Sequence, residues 1–204
     1  MAAPPLSGAG VSITGGGAHV PPAVVSHSIL GYPSRKVFDL RLNRLVGCFA
    51  VLRCPHRDAR GQRLATAQAK PYLTDPALAW LAPSLRAGLP APDFTALTEQ
   101  VIAVTLARAL DDLEPGRWVA EDTVGYTRTT SGQEVDLAPV PASSPAGAMP
   151  TVPVECKWVD RGWRSEAKVV EGKYRRGVLA TKTVLDLTHP TWAVPAPLVA
   201  LLLA

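Results

Sequence analysis

At 204 residues the chain is long enough for one domain with a real core, or one domain and a small appendage. Its apolar share of 47% is ordinary for a globular protein, and its net charge of +4 is modest. The three cysteines, Cys48, Cys54 and Cys156, match no disulfide framework, zinc motif or redox motif. A reducing cytoplasm is therefore expected, with Cys156 a buried, inert thiol. No basic segment followed by an apolar stretch marks a secretion signal. The apolar tail 192–204 is too short to cross a bilayer and contains Pro195 and Pro197, so it reads as a buried terminal element and no membrane span is expected.

Charge divides the chain into blocks. Residues 1–34 contain no Asp, Glu, Lys or Arg and are rich in Pro, Gly, Ala and Ser, which predicts a disordered or loosely attached segment. Residues 35–70 carry nine basic and two acidic residues, whereas 71–160 carry five basic and twelve acidic ones. Residues 161–182 return to seven basic and two acidic. Basic blocks around an acidic middle can attract a polyanion, although a solvated surface is the commoner explanation of any one run.

In chain order, apolar spacing from Val37 to Val46 predicts a short amphipathic helix that Gly47 ends, followed by a strand over 49–52. A basic connection covers 53–69. A strand and turn follow at 72–76, then a short helix at 77–81 and a Pro-rich linker over 82–92. Asp93 is placed to cap a helix running to about residue 110, with Leu97, Val101, Val104 and Leu106 on its apolar face. Strands are expected at 118–120 and 124–126. Gly132 marks a turn, after which Val135 and Leu137 resume a strand, and 138–151 reads as a long flexible hairpin loop. A strand at 152–159, a helix at 165–176 weakened by Gly172, and a strand within 177–187 complete the pattern. Helix, strands, helix, strand implies an α/β fold, a mixed sheet flanked by helices.

Strand alternation concentrates the chemistry. Glu134 and Asp136 share one face of their strand, and Glu155 and Lys157 share one face of the next. If the two strands pair, Asp136 and Glu155 meet with Lys157 beside them. Two carboxylates form a hard oxygen site suited to Mg²⁺ or Mn²⁺, and a lysine ammonium can neutralise charge on a phosphodiester. Taken alone, Glu155-x-Lys157 is far more often an ordinary cross-strand charge pattern. The upstream Asp136, and Glu99 on the preceding helix, make the combination rarer. Glu99 is a candidate third metal ligand, although a carboxylate near a helix start is also favoured by the dipole. The candidate nucleic-acid surface comprises Arg128, Arg164, Lys168, Lys173, Arg175 and Arg176. His19, His27, His56 and His189 show no ligand spacing.

The order Glu99, Asp136, Glu155-x-Lys157 resembles the catalytic core of the PD-(D/E)XK nuclease superfamily. More closely, the chain is similar to the C-terminal domain of unknown function found in bacterial and archaeal AAA+ family ATPases. The matching stretches are Lys70-Pro-Tyr-Leu-Thr-Asp-Pro-Ala-Leu-Ala79, Leu97-Thr-Glu-Gln-Val101, Tyr126-Thr-Arg-Thr-Thr-Ser-Gly-Gln-Glu-Val-Asp136 and Val152-Pro-Val-Glu-Cys-Lys157. The resemblance implies a winged-helix-like remnant and linker at 35–92 and a restriction-endonuclease-like domain at 93–204. It implies Asp136, Glu155 and Glu99 as ligands of Mg or Mn, and Asp136, Glu155 and Lys157 as catalytic residues of a metal-dependent DNA phosphodiesterase. A Gly-x-x-x-x-Gly-Lys-[Ser/Thr] phosphate loop is missing from the sequence, so no ATP binding or hydrolysis is expected of this chain alone. The alternative is a non-catalytic remnant of a truncated ATPase that binds nucleic acid or a protein partner.

Overall fold

The computed structural model describes residues 34–58, 61–64, 67–113, 124–139, 143–144, 147–148 and 153–204. Ser34 caps α1 (Arg35–Gly47) by accepting the Val37 N–H at 3.3 Å. The chain then forms β1 (Val51–Cys54), which pairs antiparallel with β2 (Lys70–Leu73), Val51 opposite Leu73 and Cys54 opposite Lys70. Asp75 accepts the Ala77 N–H and starts a 3-10 turn over Pro76–Trp80, which runs into α2 (Leu81–Leu85). The linker expected over 82–92 is thus partly helical. Its proline at 83 sits in the first turn of α2, where a missing N–H removes no helical bond.

Asp93 caps α3 (Phe94–Leu113) as expected, accepting N–H groups from Thr95 and Ala96. The buried face of α3 differs from the expected one. Glu99, Gln100, Ile102, Ala103 and Val104 are buried, while Leu97, Val101 and Leu106 are only half-buried. Helical spacing puts Glu99 on the same face as Ile102 and Ala103, so a carboxylate enters the interior with the apolar stripe.

After α3 come β3 (Val124–Arg128), β4 (Glu134–Pro139), the short pair β5 (Ser143–Ser144) and β6 (Gly147–Ala148), and β7 (Val154–Cys156). They are followed by α4 (Trp163–Tyr174), β8 (Gly177–Thr181), β9 (Thr191–Pro195) and α5 (Ala196–Leu203). The main sheet has the order β3-β4-β7-β8-β9, antiparallel from β3 to β7 and parallel from β7 to β9. The fold is therefore α/β, with a mixed five-stranded sheet and two separate antiparallel pairs, β1–β2 and β5–β6. The β1 chain end joins this sheet through a parallel bridge between His56 and Tyr126.

Val154, Cys156, Ala180 and Val194 pack with Ile102, Ala103 and Val199 in the larger core, which also takes in Leu52, Cys54 and Tyr72. Leu179 and Ala193 pack on the opposite side with Trp163 and Ala167 of α4. All but Ser34 of the segment expected at 1–34, the strand expected at 118–120, and most of the loop expected at 138–151 lie outside the described residues. The apolar tail is only half-buried: Ala196 and Val199 face the core, but Leu201 and Leu202 are 71% and 82% exposed, because a helix lying on a core can bury one face. Among the described residues, no helix is long and apolar enough to cross a membrane. Cys156 is buried and unbridged in β7, as expected, and burial holds its thiol well above the ordinary range.

The close approach of α4 to the sheet depends on Gly177. A Cβ there would lie 2.4 Å from Val170 Cγ1 and 2.9 Å from the Pro153 carbonyl oxygen. Gly177→Ala is expected to destabilise the protein by about 1–3 kcal/mol, the usual range for overpacking. Chemical denaturation checks this; an unchanged midpoint would show that α4 can shift without loss.

Candidate active site

The site begins with a pairing. Leu137 of β4 lies opposite Val154 of β7 in antiparallel register, which brings Asp136 alongside Glu155. Each carboxylate then takes a main-chain donor of the other strand. Asp136 Oδ2 accepts the Cys156 N–H and Glu155 Oε2 accepts the Asp136 N–H, both at 3.1 Å. Glu155 Oε1 faces the Lys157 ammonium at 2.8 Å. Asp136, Glu155 and Lys157 are therefore brought together, on neighbouring strands.

β2 contributes two side chains that the sequence reading did not single out as site residues. Lys70 and Tyr72 stand two apart and so share a face of that strand. The Lys70 ammonium lies 2.5 Å from Glu99 Oε1, 2.5 Å from Glu134 Oε1 and 3.2 Å from Asp136 Oδ1. The Tyr72 hydroxyl donates to the same Glu99 oxygen in a short hydrogen bond. Lys70 also lies 5.1 Å from the centre of the Tyr126 ring, within cation–π range. The signal available in the sequence was a lysine two residues before a tyrosine in a strand that faces a helix bearing Glu99. The strand was expected to begin only at Tyr72.

Burial sets the electrostatics. Glu99, Asp136 and Glu155 are 2%, 4% and 1% exposed. Burial first, then the Asp136 charge, raises the Glu99 pKa to about 7, against the pull of Lys70 and Tyr72. The same two causes raise Glu155 to about 8, against Lys157 and the Asp136 N–H. For the two lysines burial opposes the charged form, but the surrounding carboxylates prevail and hold both ammoniums protonated well above their ordinary range. With all six groups ionised, four carboxylates face two ammoniums, a net charge of −2 in a largely buried space. Among the described residues, no group of three His, Cys, Asp or Glu side chains is arranged to hold a metal ion. Glu99, Glu134 and Asp136 converge instead on the Lys70 ammonium.

The six basic residues proposed for nucleic acid do not form one cluster of uncommitted charges. Arg128 pairs with Glu134 at 3.3 Å and lies over the Tyr126 ring, at the edge of the carboxylate cluster. Arg164 pairs with Asp186 at 3.2 Å. Lys173 donates to the Thr127 hydroxyl and, at 2.9 Å, to the Arg128 carbonyl, tying α4 to β3. Lys168, Arg175 and Arg176 are exposed on or just beyond α4. His56 stacks on Tyr126 and His189 pairs with Glu171, each in a structural contact; His19 and His27 lie outside the described residues. In comparisons with known protein families, curated proteins and solved structures, the chain matches none.

Glu99 and Glu155 bind their protons more tightly in the folded chain than at the ordinary glutamate value of 4.5. The stability they contribute is therefore full below that value and is lost as pH rises through about 7 and about 8. The metal-free protein is expected to melt at a lower temperature at pH ~8.5 than at pH ~5.5, by roughly 1.4 kcal/mol per pH unit for each proton by which the two states differ. Glu155→Gln should flatten this dependence. Melting curves in chelator check it, and a melting temperature that rises across the interval contradicts the assignment.

Proposed function

We propose that the chain is a restriction-endonuclease-like module of the PD-(D/E)XK kind, a metal-dependent phosphodiesterase acting on DNA and related to the C-terminal domain of AAA+ family ATPases. One observation carries this reading: Asp136 and Glu155 grip each other's strands while Lys157 stands 2.8 Å from Glu155. An ordinary cross-strand charge pattern lies on an exposed face, whereas these carboxylates are buried, and clustered buried acids with raised pKa values are more frequent at functional sites than elsewhere.

The donor set suits a hard divalent cation. It offers only oxygens, it carries more negative charge than its lysines balance, and it already holds one cation, the Lys70 ammonium, among three carboxylates. Asp136 and Glu155, with Glu99, would hold Mg²⁺ or Mn²⁺. When bound, the ion supplies Lewis acidity toward a phosphodiester and a more acidic water. Glu155 must be ionised to ligate, so binding releases protons and strengthens as pH rises through about 8. Lys157 keeps its proton and holds positive charge beside Glu155, where it would offset the negative charge of an attacked phosphate. Arg128, at the edge of the cluster, and the exposed Lys168, Arg175 and Arg176 are the basic side chains we assign to contact with a DNA backbone.

The Lys70 contacts favour a second reading, a non-catalytic module that binds DNA or a protein partner. In it the lysine is a permanent counter-charge to the cluster.

Mn²⁺ is expected to raise the melting temperature by mass action, equivalent to about 2.7 kcal/mol at a hundred times its dissociation constant. Asp136→Asn should abolish that gain. Lys157→Ala should keep it while lowering phosphodiesterase activity by about 100-fold or more. Reversing the charge of Arg175 and Arg176 should weaken DNA binding and its salt dependence without touching the metal response. DNA binding with no metal-linked stabilisation supports the second reading, and binding of neither Mn²⁺ nor DNA overturns both.

A further inference from the structure

Each carboxylate of the Asp136–Glu155 pair has one oxygen committed to a main-chain N–H and one directed at an ammonium. Asp136 Oδ2 is held by Cys156 and Glu155 Oε2 by Asp136, while Asp136 Oδ1 faces Lys70 and Glu155 Oε1 faces Lys157. Both oxygens left for an outside ligand are thus already capped by lysines of the chain itself. The two caps differ in what else holds them. Lys157 has Glu155 as its ion-pair partner. Lys70 is gripped by Glu99 and by Glu134 as well as by Asp136. It comes from β2, a strand of a separate two-stranded sheet, not from the β4–β7 pair that carries the carboxylates.

An ammonium and a divalent cation cannot share Asp136 Oδ1 and Glu99 Oε1 at contact distance, since like charges a few ångströms apart in a buried site repel strongly. Two of the three oxygens that hold Lys70 belong to residues assigned to the metal. The third, Glu134 Oε1, belongs to no metal residue, but a lysine left with it alone has lost two of its three anionic partners.

We infer that Lys70 is a built-in counter-cation that occupies the metal position in the metal-free protein and must swing out of the Glu99–Glu134–Asp136 cluster before Mg²⁺ or Mn²⁺ enters. This rests on the reading of the site as a metal centre. It deepens that reading by making metal entry an exchange of one cation for another. Lys70 then acts on the metal response through competition for the carboxylates. The chain keeps a buried acidic cluster folded while no metal is present, and metal affinity is lower than the same carboxylates would give without the lysine.

Residue-specific acetylation of the wild-type chain tests this without a variant that must refold. A water-soluble N-hydroxysuccinimide acetate is the probe, peptide masses report Lys70, and calorimetry of the same preparation reports Mg²⁺ binding. In chelator Lys70 should react slowly. Saturating Mg²⁺ should speed its acetylation by about tenfold or more, because a held amine reacts only from its released state. The exposed Lys168 provides the control and should not change. In parallel, Lys70→Met, an uncharged chain of similar length, should bind Mg²⁺ roughly tenfold more tightly or better, from removal of a competing charge at contact distance. If Lys70→Met does not fold, the acetylation result stands by itself. Mg²⁺ binding with Lys70 still protected overturns this inference and leaves the metal reading intact. No Mg²⁺ binding at all overturns both.

Discussion

The site depends on the exchange of main-chain donors between β4 and β7. Past the Leu137–Val154 pair, the strands are joined by side chains: the Asp136 carboxylate takes the Cys156 N–H and the Glu155 carboxylate takes the Asp136 N–H. Buried N–H groups must find acceptors. Here carboxylates meet that demand, so the strand pairing and the acidic cluster cannot be separated. Moving β7 by one residue would turn Glu155 toward the side that Val154 and Cys156 now occupy and send a carboxylate into the apolar core.

The rest of the arrangement answers the charge this creates. Buried carboxylates are tolerated when paired and hydrogen-bonded. Lys157 serves Glu155 from the same strand face, and Lys70 serves three acidic partners from β2. Tyr72, packed in the main core, fixes Glu99 from the same face of β2 as Lys70. Even so, the lysines do not offset everything: burial first, and then the Asp136 charge, keeps the pKa values of Glu99 and Glu155 raised.

Much of this was legible in the residues. The face-sharing of Glu155 with Lys157, the meeting of Asp136 with Glu155, the Asp93 cap and the mixed sheet all follow from period-2 alternation and capping chemistry. Other features were not legible, for physical reasons. α3 is rich in Ala and Leu, so its apolar residues fall on several faces and do not reveal that Glu99 shares the buried stripe of Ile102 and Ala103. The contact of Lys70 with Glu99 and Asp136 spans 29 and 66 residues, and depends on how the two-stranded sheet packs on the five-stranded one. Local pattern carries no information at that range. The basic residues of α4 were read as one surface because helical sequence shows charge but not partners; Lys173 proves to be tied to Thr127 and Arg128, and Arg164 to Asp186.

The central claim is that the buried carboxylates are a cation site shared in turn by a lysine and a metal. The most direct measurement is a crystal structure of the protein soaked in Mn²⁺, with the ion located by its anomalous scattering. The account predicts a peak within ligating distance of Asp136 and Glu155, about 2.0–2.3 Å for a hard cation on oxygen, and the Lys70 ammonium withdrawn from Asp136. A fully soaked crystal with no peak at these carboxylates, and Lys70 still between Glu99, Glu134 and Asp136, would contradict it.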